Sequence, residues 1–179
     1  VHLVLTGIIS LGYVLPVFGK GKRLRDFHYI KIFLIALTWS WVTVLLPALE
    51  AGVNWGLSVW ILAAERAIFI FAITLPFDIR DFQIDAHTGV KTIPGYIGMS
   101  ATKKLTVLCL IIVFILAAVN IGPIYSLYSF IGFALAILLT AILVWRADKV
   151  LHDYYYTGAL DGSMILQLLL VWLIGGLMC

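Results

Sequence analysis

The fold is decided by residues 55–77, which read WGLSVWILAAERAIFIFAITLPF. A helix that crosses a bilayer needs about 20 mostly apolar residues, and this stretch meets that length with only two charges, Glu65 and Arg66. Continuously apolar runs indicate helices rather than the alternating strands of a membrane barrel. We therefore predict an all-α, polytopic transmembrane helix bundle that forms one domain, residues 1–179. About six spanning helices are expected, the others being residues 1–18, 30–49, 102–120, 124–145 and 162–179.

The composition excludes several classes of protein. Of the 179 residues, 63% are hydrophobic and 12% are charged, whereas a soluble domain carries about 25% charged residues. So little charge cannot coat a globule in water, which excludes an ordinary cytosolic domain, a disordered tail and a nucleic-acid-binding protein. The two cysteines, Cys109 and Cys179, lie far apart in apolar runs and show neither a metal-binding spacing nor a disulfide framework.

The basic residues lie on one side of the predicted bundle. Successive spans alternate in direction, so the first, third and fifth loops share one side of the membrane. Eleven of the twelve lysines and arginines lie in or beside these three loops, residues 19–29, 78–101 and 146–161. Because cytoplasmic loops of membrane proteins carry an excess of Lys and Arg, we predict that this side is cytoplasmic. We expect a multi-pass protein of the cell (inner) membrane.

The longest polar stretch, residues 78–95, contains three aspartates at spacings of three and four: Asp78, Asp81 and Asp85. If the preceding span continues as a helix, about 100° per residue places them within roughly 60° of arc, on one face. Such a stripe can hold Mg²⁺, which prefers oxygen ligands and completes its shell with water and substrate phosphates. Lys91 would then meet a phosphate held by the metal. The alternative is a solvated helix end beside the membrane, and the spacing alone leaves both interpretations open.

Residues 78–94, which read DIRDFQIDAHTGVKTIP, resemble the second aspartate-rich motif of the UbiA superfamily of intramembrane prenyltransferases. In that family the motif is DxxDxxxD followed by a glycine, a basic residue and Thr-Leu-Pro, and here Ile93 replaces the leucine. The segment 12–16, GYVLP, is similar to a Tyr-x-x-Pro segment that precedes a lysine in the family. The resemblance implies that the chain corresponds to helices four to nine of a nine-helix bundle.

The chain departs from the family in one respect. The first aspartate-rich motif, NDxxDxxxD, lies between the second and third helices of the family and has no counterpart in residues 1–179. We therefore expect the chain to be truncated at its N-terminus, and residues 1–179 alone to lack prenyl transfer. An NDxxDxxxD loop in the upstream sequence would support the resemblance.

The resemblance implies Mg²⁺-dependent transfer of a prenyl group from a prenyl diphosphate to a small aromatic or lipid-like acceptor within the membrane. It implies that Asp81 and Asp85 are the catalytic, metal-binding carboxylates and that Asp78 extends the metal site. For Arg80, an ion pair at the membrane interface is the alternative to binding phosphate. Contacts with the diphosphate are expected from four basic residues and a tyrosine: Lys91, Arg80, Lys20, Lys22 and Tyr13.

Glu65 and Arg66 lie near the middle of a predicted span. A charge there costs about 2.5–3.5 kcal/mol on insertion scales, so we expect both side chains to face the bundle interior. There they either line the acceptor end of the cavity or pair with another helix. Intramembrane charges also fit a second class of function, a transporter or channel with an acidic, cation-binding cytoplasmic mouth. That class does not explain the Gly-x-Lys-Thr-x-Pro segment after the aspartates.

Overall fold

The computed structural model describes residues 30–88, 92–147 and 152–176, with side chains for 31–82, 92–147 and 152–176. The first span begins as α1 and ends as α2, with a π-helical segment between them. The second span is the long helix α3, which the short helix α4 follows. The bounds of these elements are Ile30–Ser40 for α1, Trp41–Leu45 for the π-helical segment, Leu46–Glu50 for α2, Leu57–Thr88 for α3 and Ile93–Ile97 for α4.

Three more spans complete the described bundle. The first two are α5, Met99–Val119, and α6, Leu127–Arg146. The last combines a π-helical segment, Tyr155–Leu160, with α7, Gly162–Gly176. Thus every long element of the described ranges is helical, as the apolar runs predicted.

Five helical segments of the described chain are long and apolar enough to cross a membrane: Lys31–Glu50, Leu57–Phe82, Met99–Val119, Leu127–Arg146 and Tyr155–Gly176. The prediction of an all-α bundle is confirmed, since no strand occurs within the ranges that the structure describes. Large apolar side chains such as Leu37, Leu138 and Trp172 are exposed on its surface, as expected where helices face lipid. The sixth predicted span, residues 1–18, lies outside the described residues.

Helix α3 lies at the centre of the packing, between α1 on one side and α5 on the other. Its inward face carries Phe69, Ile73 and Leu75, each at most 2% exposed. Helices α6 and α7 pack closely on each other, and small residues at their contact allow the two backbones to approach. The bundle therefore packs against α3 from several sides.

One end of the bundle carries most of its described charges, and we call it the basic end. There Arg80, at the end of the second span, lies 3.2 Å from Asp153, just before the last span. The ammonium of Lys103, early in α5, lies 5.1 Å from the ring centroid of Trp145, late in α6. The hydroxyl of Tyr156, in the last span, donates to the carbonyl of Ala147 directly after α6 and links the two pairs. The ends of four spans therefore lie on one side, as the alternation of spans predicted.

The opposite end is closed by the turn between α5 and α6. The side-chain amide of Asn120 donates to the carbonyl of Ser58 at 3.0 Å, which attaches the turn to α3. Gly122 adopts a φ of 93°, a backbone conformation that residues other than glycine rarely adopt. The hydroxyl of Ser126 accepts the N–H of Ser129 at 3.0 Å and so caps the start of α6. This short connection keeps α5 and α6 antiparallel neighbours.

Candidate functional site

Helix α3 continues without interruption beyond the membrane span to Thr88. Positions 78, 81 and 85 therefore fall within roughly 60° of arc on one face of a single helix. Leu75, before the first aspartate, and Ile79, directly after it, are at most 5% exposed and attach this part of the helix to the bundle. The prediction of an aspartate stripe required that the span continue as a helix through position 85, and the backbone is helical there.

Arg80 and Asp81 form a two-pronged ion pair at the basic end. The Nε of Arg80 donates to Oδ1 of Asp81 at 2.7 Å, and its Nη2 donates to Oδ2 at 3.0 Å. A third donor, Nη1, reaches Oδ1 of Asp153 at 3.2 Å. One guanidinium thus spans two carboxylates from segments far apart in the chain, a geometry that suits its planar fork of N–H groups.

Two aromatic rings hold the Arg80 guanidinium in place. Its central carbon lies 5.1 Å from the ring centroid of Tyr156 and 5.5 Å from that of Phe77. Tyr156 is only 1% exposed, and its hydroxyl donates to the carbonyl of Ala147 at 2.5 Å. Because a cation is attracted to the faces of aromatic rings, this cage orients the guanidinium as well as contacting it. Arg80 is therefore a positioned cation rather than a loose surface charge.

The structure shows one of the two contacts considered for Arg80, and it does not test the predicted metal site of the three aspartates. The interfacial ion pair that was the alternative for Arg80 is present, and its binding of diphosphate stays a prediction. Asp81 keeps 39% of its side chain exposed, so its carboxylate remains accessible. Within the side chains that the structure describes, no three His, Cys, Asp or Glu residues are grouped so as to hold a metal ion. Asp85 is not among those side chains, so the predicted three-carboxylate site is not tested.

The predicted diphosphate ligands other than Arg80 lie outside the described residues. They are Lys91, Lys20, Lys22 and Tyr13. The motif is described again from Thr92, which is buried and extended, with φ −110° and ψ 165°. Pro94 then stands in the first turn of α4, where its missing N–H costs no helical hydrogen bond. The Thr-Ile-Pro end of the motif thus starts the short helix that packs against α3.

Asp153 and Tyr156 belong to this site, although the sequence alone did not place them in it. The run Tyr154-Tyr155-Tyr156 is typical of an aromatic belt at the membrane interface, and the acid before it has no motif around it. A signal did exist, since this acid and this aromatic residue lie within the predicted basic loop 146–161, on the same side of the bundle as Arg80. Pairing them with Arg80 required the packing of the last span against α3.

A second polar cluster lies within the membrane. Glu65 is 1% exposed and accepts a hydrogen bond from the hydroxyl of Tyr125 at 2.9 Å. Arg66 donates from Nη1 to Oε1 of Gln167 at 2.5 Å. Both charges therefore face the bundle interior, and each has an uncharged partner on another segment of the chain. Within the described residues, neither has an oppositely charged group within 4.0 Å.

Tyr125 remains a neutral hydrogen-bond donor in this cluster. Burial raises the pKa of its phenol above the ordinary value, and the neighbouring Glu65 carboxylate raises it further. The hydroxyl hydrogen is therefore retained at any physiological pH. Tyr125 satisfies one oxygen of Glu65, while the other oxygen, Oε2, is buried without a hydrogen-bond partner in the described part of the protein.

The intramembrane cluster and the aspartate stripe are too far apart to act on one small molecule. Arg66 precedes Asp81 by fifteen positions in α3, which at 1.5 Å per residue separates them by about 22 Å. Arg66 does line a cavity of about 770 Å³ between the first span, α3 and the last span. Glu65 is not part of that lining and is directed to Tyr125 instead.

Comparisons with models of protein families, with curated proteins and with solved structures found no match to this chain.

Proposed function

We propose that this chain is the C-terminal part of an intramembrane prenyltransferase of the UbiA type, which transfers a prenyl group from a prenyl diphosphate to a small aromatic or lipid-like acceptor. The observation that carries the proposal is the placement of the motif. Positions 78, 81 and 85 share one face of α3 where that helix leaves the bundle, and the Gly-x-Lys-Thr-Ile-Pro segment follows directly. The basic end of the bundle is a suitable place for an anionic diphosphate.

The donor chemistry of this face fits Mg²⁺. Asp78, Asp81 and Asp85 would hold the ion, because Mg²⁺ is bound in proteins by one or two carboxylates together with water and phosphate oxygens. When bound, the ion would stabilise the negative charge that gathers on the departing diphosphate. Asp81 is ion-paired with Arg80 and 39% exposed, so its carboxylate would be shared between the guanidinium and the ion.

Arg80 would bind the diphosphate at this face. Its guanidinium is oriented by Phe77 and Tyr156 and shares its donors between Asp81 and Asp153. Donors oriented in advance stabilise developing charge well, because they need no rearrangement during the reaction. Lys91 would supply a second cation from the segment after α3.

The prenyl chain needs an apolar enclosure. The cavity of about 770 Å³ lies beside α3 and is lined mainly by apolar and small side chains, among them Trp39, Ile70 and Ile165. Its walls would exclude water from the allylic cation that forms when the carbon–oxygen bond to diphosphate breaks. The apolar cavity would hold the prenyl chain of the substrate, and the basic end of the bundle would hold its diphosphate.

The proposal places the basic end in the cytoplasm, as the excess of Lys and Arg in the loops at that end indicates. In a variant with Cys109 and Cys179 replaced by alanine, a cysteine at position 96 should be shielded from a membrane-impermeant thiol reagent added to intact cells. A cysteine at position 53, at the opposite end, should react. Both native side chains are exposed, Tyr96 at 83% and Val53 at 49%, so access in opened membranes serves as the control. The reverse labelling pattern would contradict this orientation.

Enzymatic activity is tested with the full-length protein in membranes. Labelled geranyl, farnesyl and geranylgeranyl diphosphates are offered with a panel of aromatic and naphthoic acids, with Mg²⁺ or with EDTA. We expect a prenylated product with Mg²⁺ and its loss with EDTA, because the aspartates need the ion to bind diphosphate. Membranes without the protein provide the blank. Product that forms equally well in EDTA would contradict the metal-dependent mechanism, and no consumption of any diphosphate would contradict the prenyltransferase assignment.

A further inference from the structure

A small cavity lies inside the membrane part of the bundle, between α3, α6 and α7. Its volume is about 200 Å³, and three of its lining residues, Arg66, Met164 and Leu168, also line the larger cavity of about 770 Å³. Polar groups meet on one side of it and apolar groups on the other. The lining residues are Arg66, Tyr125, Phe133, Met164, Gln167, Leu168 and Val171.

Among the residues that the structure describes, two hydrogen-bond donors at this cavity have no acceptor. Gln167 is 4% exposed and uses Oε1 to accept from Arg66, so its amide nitrogen Nε2 must be a donor, and this nitrogen is buried without a partner in the described ranges. The Nε of Arg66 is likewise buried without a partner in the described part of the chain. Buried N–H groups are nearly always paired in native proteins, so this pair indicates a missing acceptor.

The missing acceptor must also compensate a charge. Within the described residues no carboxylate lies within 4.0 Å of Arg66. Glu65 is next to it in sequence, but consecutive helical residues point about 100° apart, and the Glu65 carboxylate is bonded to Tyr125. A cavity of this size can hold water, which would satisfy the N–H groups. Water would still leave the guanidinium without a directly paired carboxylate among the described residues, in a medium of low dielectric constant.

We propose that this cavity binds the carboxylate of an organic acid, with Arg66 Nε and Gln167 Nε2 as its donors and Phe133, Leu168 and Val171 against its apolar body. A guanidinium and a carboxylate match in geometry and charge. The site lies about 22 Å from Asp81 by the rise of α3, and the inference does not depend on the proposed prenyl transfer. The acid enters either from the lipid, through the larger apolar cavity, or from solution as a small molecule.

Binding is measured with the full-length protein in nanodiscs, with empty nanodiscs as the blank. The probes are dodecanoate for an acid dissolved in lipid, benzoate for a small acid from solution, and dodecanol as the uncharged match of dodecanoate. We expect one of the two acids to bind, and Arg66→Gln to weaken its binding by about tenfold or more. Dodecanol should bind equally to both proteins. Saturable binding of dodecanoate alone identifies the lipid as the source, and binding of benzoate identifies a small acid.

Three further variants complete the test. Glu65→Gln removes a neighbouring negative charge and should strengthen binding of the acid, whereas loss of a merely structural contact would not. Gln167→Leu removes one donor and should weaken binding, and it replaces Arg66→Gln if that variant does not fold. Lys103→Gln removes a cation at the basic end and should change nothing. The proposal is overturned if neither acid binds above the blank, or if the acid and dodecanol respond alike to every variant.

Discussion

Replacing Asp81 by asparagine is expected to lower the rate of prenyl transfer by about 10²–10³-fold, the cost of removing one preorganised charge-stabilising group. The substitution keeps the size of the side chain but removes the charge that would hold Mg²⁺. Asp81 is 39% exposed, so the change leaves the apolar core intact. Turnover of the full-length protein with Mg²⁺ and a labelled prenyl diphosphate measures the effect. Asp85→Asn should have the same result.

Asp153→Asn is the matched control for Asp81→Asn. Both aspartates accept a hydrogen bond from Arg80, at 2.7 Å and 3.2 Å, but Asp153 lies just before the last span and not in the motif. Its side chain is 85% exposed, so its contact with Arg80 is worth little. We expect Asp153→Asn to keep most of the activity. Equal losses in the two variants would mean that support of Arg80, rather than metal binding, is the role of Asp81. Full activity of Asp81→Asn would place the chemistry elsewhere.

Replacing Gly132 by leucine is expected to destabilise the bundle by about 1–3 kcal/mol or more, through overpacking between α6 and α7. A Cβ at this position would lie 2.4 Å from the carbonyl oxygen of Leu170 and 3.1 Å from Cα of Val171. These atoms are backbone, so the clash is relieved only if the two helices separate. Gly132→Ala should already show part of the loss. Unfolding of the purified protein by a denaturing detergent, followed by circular dichroism, measures it.

Gly176→Ala provides the control for the close contact of α6 and α7. Gly176 also lies in a helix of this pair, but a Cβ there would meet nothing within 4 Å. Gly176 is the last residue of α7, where the helix propensity of alanine has little effect, so this variant should be about as stable as the parent. If Gly132→Leu unfolds at the same detergent concentration as Gly176→Ala, the close approach of α6 and α7 described here is wrong.

Local hydrophobicity was enough to locate the described spans. The predicted stretches 30–49 and 102–120 correspond closely to Lys31–Glu50 and Met99–Val119. A spanning segment must satisfy its own backbone hydrogen bonds and be apolar over about 20 residues, so its existence is a local property of the sequence. The prediction for the last span began at 162, whereas the helical segment begins at Tyr155. Polar residues in and directly after the π-helical segment, such as Thr157 and Asp161, hid this extension.

The periodicity of a helix was likewise enough to place positions 78, 81 and 85 on one face, because α3 continues to Thr88. What the sequence by itself determined is therefore the class of fold, most of the limits of the described spans and the acidic stripe, all of which depend on neighbouring residues. The tertiary structure alone decided the partners of the charges. Arg80 meets Asp153, Glu65 meets Tyr125 and Arg66 meets Gln167 across 73, 60 and 101 positions of the chain. Such pairs depend on which helices pack together and in which rotation, and no local pattern of residues records that choice.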